Sequence, residues 1–316
     1  MPRPTLLRTL PISAASGLVR LGAVFYIVAD DELGLLELPD DGPTRVLPLL
    51  PGGLPEEHAA RKAHKPDFEA LCRWPGDGLL ALGSGSTAAR HRGCLLRPVA
   101  KDMSAGTVLV IDMTPLHAHL AGGLPALNLE GAAVVGDTLV LLQRGNGPGN
   151  RNARVELDLA GAQQRIAAGA PWDAALVRAI RDVELGERGG AALGFTDASP
   201  LPDASLVFVA AAEASPDTYQ DGVVTGAAIG LMGPRGDVEW IVDFAEPAKL
   251  EGIHAELAGD VVRLWLVTDP DDRARPADLF TAQVDRRTGA WRGGSLRTQH
   301  APLPGPSVSS KFTRDR

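Results

Sequence analysis

Asn128-Leu129-Glu130-Gly131-Ala132-Ala133-Val134-Val135-Gly136-Asp137-Thr138-Leu139-Val140-Leu141-Leu142-Gln143-Arg144-Gly145-Asn146 carries the plan of the whole chain. An acid is followed by a small residue and a short apolar stretch. Gly136-Asp137 then supplies a tight turn into Leu139–Leu142, a continuous apolar run of strand length that ends in a polar cluster. The same plan recurs. It reads Ser16-Gly17-Leu18, Phe25–Ala29 and Asp30-Asp31-Glu32 near the start. It returns as Glu69-Ala70-Leu71, Pro75-Gly76-Asp77-Gly78, Leu79–Leu82 and Gly83-Ser84-Gly85-Ser86. Asp197-Ala198-Ser199 leads through Pro202-Asp203 to Leu206–Val209 and Glu213, and Glu251-Gly252-Ile253 leads through Gly259-Asp260 to Leu264–Val267 and Asp269. With Ser16, Glu69, Glu130, Asp197 and Glu251 taken as equivalent, the intervals are 53, 61, 67 and 54 residues. Each interval is long enough for a four-stranded meander and a connector.

A short meander cannot bury both of its faces alone. Five such units packed face to face around an axis, and closed on themselves, can. The pattern therefore predicts an all-β fold, a five-bladed β-propeller formed by one domain over residues 1–316, with a six-bladed ring as the alternative if a connector hides a degenerate blade. Further strands are expected at Gly93–Leu96, Thr107–Ile111, Ala227–Leu231 and Val238–Val242. The N-terminal stretch Thr5–Ile12 is expected to complete the last blade, because Ala290–Thr298 is Gly-rich and weakly patterned. Short helices are expected in the connectors at Glu56–Lys62, Pro115–Leu120 and Trp172–Val183. In the last of these, Trp172, Leu176, Ile180 and Val183 approximate one helical face.

Composition narrows the partners. The 39 acidic residues against 31 basic ones give a formal charge of −8 with no basic stripe, which argues against a phosphate backbone and so against nucleic acid. Two cysteines, Cys72 and Cys94, are too few for a disulfide framework. Arg20 interrupts the apolar stretch Leu18–Val28, and no segment reaches the roughly 18 apolar residues of a membrane span. A cytoplasmic location, without membrane contact, is the expectation.

In a propeller the first strand of each blade lines the channel, so residues at its start converge on the axis. Glu69, Glu130, Asp197 and Glu251 would then share one mouth and repel one another unless positive charge compensates them. A hard cation such as Ca²⁺, or another divalent ion, would accept these four carboxylates with Asn128 as a further ligand. Alternatively Lys65, Arg144 or Lys249 would pair with the acids directly. The ends of the second strands form another polar set. Asp30, Lys65, Arg144 and Asn146, the last in the glycine-rich run Gly145–Asn152, are the expected contacts of a small-molecule ligand. His64 and His254 lie nearest the acids in sequence, and Glu130, Glu251 and His64 are the expected catalytic groups. No Ser-His-Asp set or nucleophile elbow can be assembled.

Lys65-Pro66-Asp67-Phe68-Glu69, Asn128-Leu129-Glu130-Gly131-Ala132, Gly194-Phe195-Thr196-Asp197-Ala198 and Lys249-Leu250-Glu251-Gly252 resemble, over nearly the whole chain, an uncharacterised family of bacterial propeller proteins. At the short Glu-Gly blade entries alone, the chain also resembles the esterase-like phytase domain and the gluconolactonase group. The second resemblance implies a divalent cation on the axis that polarises a lactone or ester carbonyl and activates water, with nearby carboxylates as ligands or base. That group has six blades and a more amide-rich metal set than this sequence offers. Two functions follow as expectations. One is a metal-dependent hydrolase of a small ester, lactone or phosphoester. The other is a non-catalytic propeller that binds a small ligand or protein partner, its acids neutralised by Lys65 and Arg144.

Overall fold

The computed structural model describes residues 4–145, 151–214, 223–244 and 248–293. Five antiparallel sheets follow one another along the chain. The first contains β2 (Ala15–Leu21), β3 (Val24–Ala29), β4 (Gly34–Pro39) and β5 (Arg45–Pro48). β6 (Phe68–Trp74), β7 (Gly78–Gly83), β8 (Arg92–Val99) and β9 (Asp102–Asp112) make the second, and β10 (Leu129–Val135), β11 (Thr138–Gln143), β12 (Ala153–Asp158) and β13 (Val177–Asp182) the third. The fourth adds a two-residue edge, β14 (Glu187–Arg188), to β15 (Ala191–Pro200), β16 (Leu206–Ala214), β17 (Val223–Met232) and β18 (Val238–Asp243). The fifth joins both ends of the chain: β19 (Lys249–Ala258), β20 (Val261–Asp269) and β21 (Asp278–Asp285) are completed by β1 (Thr5–Thr9), paired antiparallel to β21. The innermost strands touch in cyclic order, β2 to β6 to β10 to β15 to β19 and back to β2. This is the five-bladed ring, and the sixth blade left open by the sequence is not present among the described residues.

The ring holds because a blade has two apolar faces. One buried cluster fills each interface between neighbouring blades; that between the second and third is centred on the stacked indoles of Trp74 and Trp172, 6.3 Å apart. Middle strands such as β11 are apolar on both faces for this reason, whereas the outer β9 alternates towards solvent. The inner strands approach so closely that side chains are excluded. A Cβ on Gly17 would lie 2.6 Å from the Leu71 amide nitrogen, and one on Gly252 would lie 2.5 Å from the Ser16 carbonyl oxygen.

Two helices form where expected, α1 (His58–His64) and α2 (Thr114–Gly123). The expected helix at Trp172–Val183 does not. Ala174–Leu176 is a single 3₁₀ turn, and Val177–Asp182 is β13, paired to β12. The spacing 172, 176, 180 satisfies a helical face and is also an even multiple of the strand period, so periodicity alone could not separate them. The helix of this connector lies earlier, α3 (Leu159–Ala168). It is capped by the Asp158 carboxylate on the Gly161 amide at 3.0 Å and stopped by Gly169 at φ 62°.

One irregularity repeats in every blade. Where the inner strand begins, the ladder to its neighbour slips between Ala15 and Leu18, Phe68 and Ala70, Leu129 and Gly131, Phe195 and Asp197, and Leu250 and Gly252. The residues inside these β-bulges include Ser16, Glu69, Glu130, Thr196 and Glu251. A bulge inserts an unpaired residue and re-aims its side chain, and here the glutamates it carries face the mouth of the ring.

Candidate functional site

The starts of the inner strands and the ends of the second strands surround a cavity of about 580 Å³ at one mouth of the ring. Ten carboxyl groups and seven Lys or Arg side chains line it, so the cavity carries both signs of charge and is far from a bare ring of acids. The charges sort into two networks with Glu69 between them.

The first network belongs to blades one and two. The Lys65 ammonium pairs with Asp30 and lies 2.9 Å from Asp67 Oδ1, while Arg90 Nη1 lies 2.8 Å from Asp67 Oδ2. Asp67 is buried, sits at a positive φ of 57°, and also accepts a hydrogen bond from the Ser84 hydroxyl. Burial alone would lower the Lys65 pKa, but Asp30, Asp67 and Glu69 outweigh it and hold the ammonium charged. Arg61 from α1 reaches Asp31 at 3.2 Å and Glu32 at 2.8 Å. Carboxylate oxygens of Asp30, Asp67 and Glu69 lie within 4.8 Å of one another.

The second network belongs to blades three to five. Arg144, 4% exposed, brings Nη1 to 3.3 Å from Glu130 Oε1 and 3.7 Å from Glu251 Oε1, and Nη2 to 3.0 Å from Glu213 Oε1. Lys249 lies 3.1 Å from Glu213, 3.0 Å from Glu251 and 2.9 Å from Asp271. Two cations serve three buried carboxylates, and the carboxylates are not treated alike. Burial would raise the Glu213 pKa, but Arg144 and Lys249 outweigh it and hold the group below the usual carboxylate range. Burial pushes Glu130 up to about 8, Arg144 opposing and Glu251 adding to the shift. Burial followed by the neighbouring Glu130, Asp67 and Asp30 charges raises Glu69 well above the usual range, and burial raises Glu251 as well.

The two oxygens of Glu130 have different surroundings. Oε1 accepts from Asn128 Nδ2 at 2.6 Å and from Arg144 Nη1 at 3.3 Å. Oε2 has no bond to a described residue, and so it is the oxygen on which a proton would reside. Asn128 is fixed in turn through its backbone, the N–H donating to Gln143 Oε1 at 2.8 Å and the carbonyl oxygen accepting from the Arg144 backbone N–H at 2.9 Å.

Of the residues selected from sequence, Asp30, Lys65, Glu69, Asn128, Glu130, Arg144 and Glu251 all line this cavity. Asp197 does not. The bulge residue of the fourth blade is Thr196, so Asp197 is one position further along and faces the other way. Its carboxylate is fully buried, accepting the amides of Ala198 at 2.7 Å and Ile253 at 2.9 Å, with the Leu18 amide also bonded. It staples three blades and is not poised to ligate a metal. Thr196 donates to the Leu250 carbonyl at 2.7 Å. His64 is exposed at the end of α1, its Nδ1 2.7 Å from the Ala60 carbonyl, and does not line the cavity, because the last turn of the helix carries it outward. Asn146 lies outside the described residues. Sequence reasoning missed the central places of Asp67 and Arg90. The first was signalled by Lys-Pro-Asp before a blade entry; the second, in a 3₁₀ turn, carried no signal.

Among solved structures, the chain is similar to an engineered GH43 glycoside hydrolase with xylanase and arabinofuranosidase activity, at 12% identity and a TM-score of 0.51 over 99% of this chain and 59% of that one. It is also similar to a luciferin-regenerating enzyme, at 12% identity and a TM-score of 0.42 over 92% and 81%, and to a candidate gluconolactonase, at 10% identity and a TM-score of 0.42 over 91% and 93%. At these identities the likeness is one of fold alone. No curated protein matches the sequence significantly. The profile that does match covers residues 11–284, nearly the whole ring, and on that extent the chain belongs to the family of unknown function DUF6929.

Proposed function

We propose that the acidic mouth is a hydrolytic site for a small uncharged ester or lactone, with Glu130 as the general acid. The observation that carries this reading is the contrast between Glu130, raised to about 8, and Glu213, lowered, on two nitrogens of one arginine. Carboxyls driven apart in this way divide acid from base at neutral pH. Water adds to the carbonyl carbon and gives a proton to the ionised Glu213. The leaving oxygen takes the proton from Glu130 Oε2 as its bond to carbon breaks, and exchange with solvent then removes the proton from Glu213 and returns one to Glu130. Arg61, Lys65, Arg90, Arg144 and Lys249 are each already held by a carboxylate, which disfavours a phosphoester.

The test is a panel of esters and lactones assayed against pH. Activity is expected to fall as pH rises through about 8, where Glu130 deprotonates. Glu130→Gln should lower kcat by a factor of about 100 or more with the melting temperature retained. Full activity in that variant refutes the assignment.

Two other readings have observations of their own. The pairing of Lys65 and Arg144 with the acids favours a non-catalytic ligand-binding propeller, which predicts stabilisation by a panel compound without turnover. The convergence of Asp30, Asp67 and Glu69 favours a divalent cation such as Ca²⁺. As arranged, these three do not suit one: Lys65 already supplies the positive charge and would have to swing out, so no step above runs through a metal. Added Ca²⁺ raising the melting temperature, reversed by EDTA and lost in Glu69→Gln, would establish the cation.

A further inference from the structure

A second cavity, of about 380 Å³, opens at the opposite mouth of the ring. Each inner strand contributes one residue to its floor: Leu18, Leu71, Ala132, Ala198 and Ile253, none more than 4% exposed. Side chains return to the same face of a strand every second residue, so the next positions outward are Arg20, Arg73, Val134 and Pro200, all in the lining. The cavity is thus apolar within and cationic at the rim. Arg20 and Arg73 stand there against Asp77, the one acid among the described lining residues, in a chain of net charge −8, while the His254 ring beside them has its Nε2 3.7 Å from Glu256.

The arginines differ in what they already hold. Arg20 is fixed with its guanidinium carbon 4.9 Å from the Phe25 ring centroid and 4.8 Å from that of Trp265, and Nη2 meets Asp40 at 2.6 Å. Its Nε has no hydrogen-bond partner among the described residues. Among the described residues Arg73 meets only Asp77, and both side chains are more than half exposed, a weak pairing that another carboxylate can replace. The close contacts at Gly17 and Gly252, and the buried Asp197, separate this cavity from the acidic mouth.

We infer that this mouth binds a small amphiphilic carboxylate, its apolar body on the floor and its head group between Arg20 and Arg73. The volume suits a medium-chain or monoaromatic acid, and an apolar pocket with a few convergent polar groups is the usual form of such sites. An alcohol of the same length lacks the charge, and an amine is repelled.

Calorimetric titration of the whole chain at pH 7.5 and low salt with octanoate, octanol and octylamine tests this. Octanoate is expected to bind about tenfold more tightly than octanol, and octylamine not at all. Arg73→Gln, at an exposed position that leaves packing intact, should weaken octanoate by about tenfold and leave octanol unchanged, whereas Glu130→Gln should change neither. Absence of octanoate binding, equal affinity for octanol, or an Arg73→Gln variant that binds octanoate as tightly as the parent would each overturn the inference.

Discussion

Burial of His117 is expected to make the stability of this protein fall in mild acid. It lies on α2, 1% exposed, and neither ring nitrogen has a hydrogen-bond partner among the described residues. The Gly85 backbone covers it: a Cβ at Gly85 would lie 2.8 Å from Nδ1. His91 packs edge-on with centroids 5.0 Å apart, and Asp112 is the nearby acid. Burial, reinforced by His91 and only partly opposed by Asp112, lowers the His117 pKa from 6.5 to about 3. The native state therefore binds fewer protons here than the unfolded chain between those values. Stability is full above 6.5, declines as pH drops below it, and stops declining only near 3. At pH 5 the loss is about 1.5 units at 1.36 kcal/mol each, or about 2 kcal/mol. Urea melts of the parent and His117→Leu at pH 7.5 and pH 5 isolate this effect, since the carboxylates of the mouth titrate alike in both chains. Leu forfeits no hydrogen bond at the site. The gap between the two chains should shift by about 2 kcal/mol in favour of the variant on going to pH 5, and an equal gap at both pH values refutes the argument.

Asp197→Asn places an amide NH₂ where a backbone amide now donates, at either Ala198 or Ile253. It should cost about 2 kcal/mol or more by urea melting, with the acidic mouth unaltered. Arg144→Met leaves Glu130, Glu213 and Glu251 without their shared cation and should cost about 3–5 kcal/mol at pH 7.5. That cost should shrink at pH 5: carboxyls whose folded pKa is raised further recover stability as they protonate. A penalty independent of pH would mean that Arg144 acts through packing.

The repeat was legible because each blade meets the same constraints separately. The turn after the inner strand, the continuous apolar second strand and the polar exit are local patterns, and five copies imply a ring. Closure by the N-terminal strand was legible for a related reason, since the C-terminal end offered no patterned fourth strand. The site was legible to the extent that radial repetition brings equivalent positions together, which placed Glu69, Glu130 and Glu251 at one mouth beside Lys65 and Arg144.

What the amino-acid order could not decide were features set by single-residue register and by contacts between blades. A bulge at each entry determines which residue faces the cavity, and in the fourth blade it selects Thr196 and turns Asp197 into an interblade staple. Because the strand period is two, an alignment error of one residue exchanges the channel for the core, and nothing in the spacing 130 to 197 reveals it. Arg90 reaches Asp67 from a 3₁₀ turn, and Lys249 bridges two blades to reach Glu213. Tertiary structure alone decided which of Lys65, Arg144 and Lys249 meets which acid, and so which carboxyl is pushed up and which is held down. That depends on distances of 3–4 Å between side chains as far apart in the chain as Arg144 and Glu251.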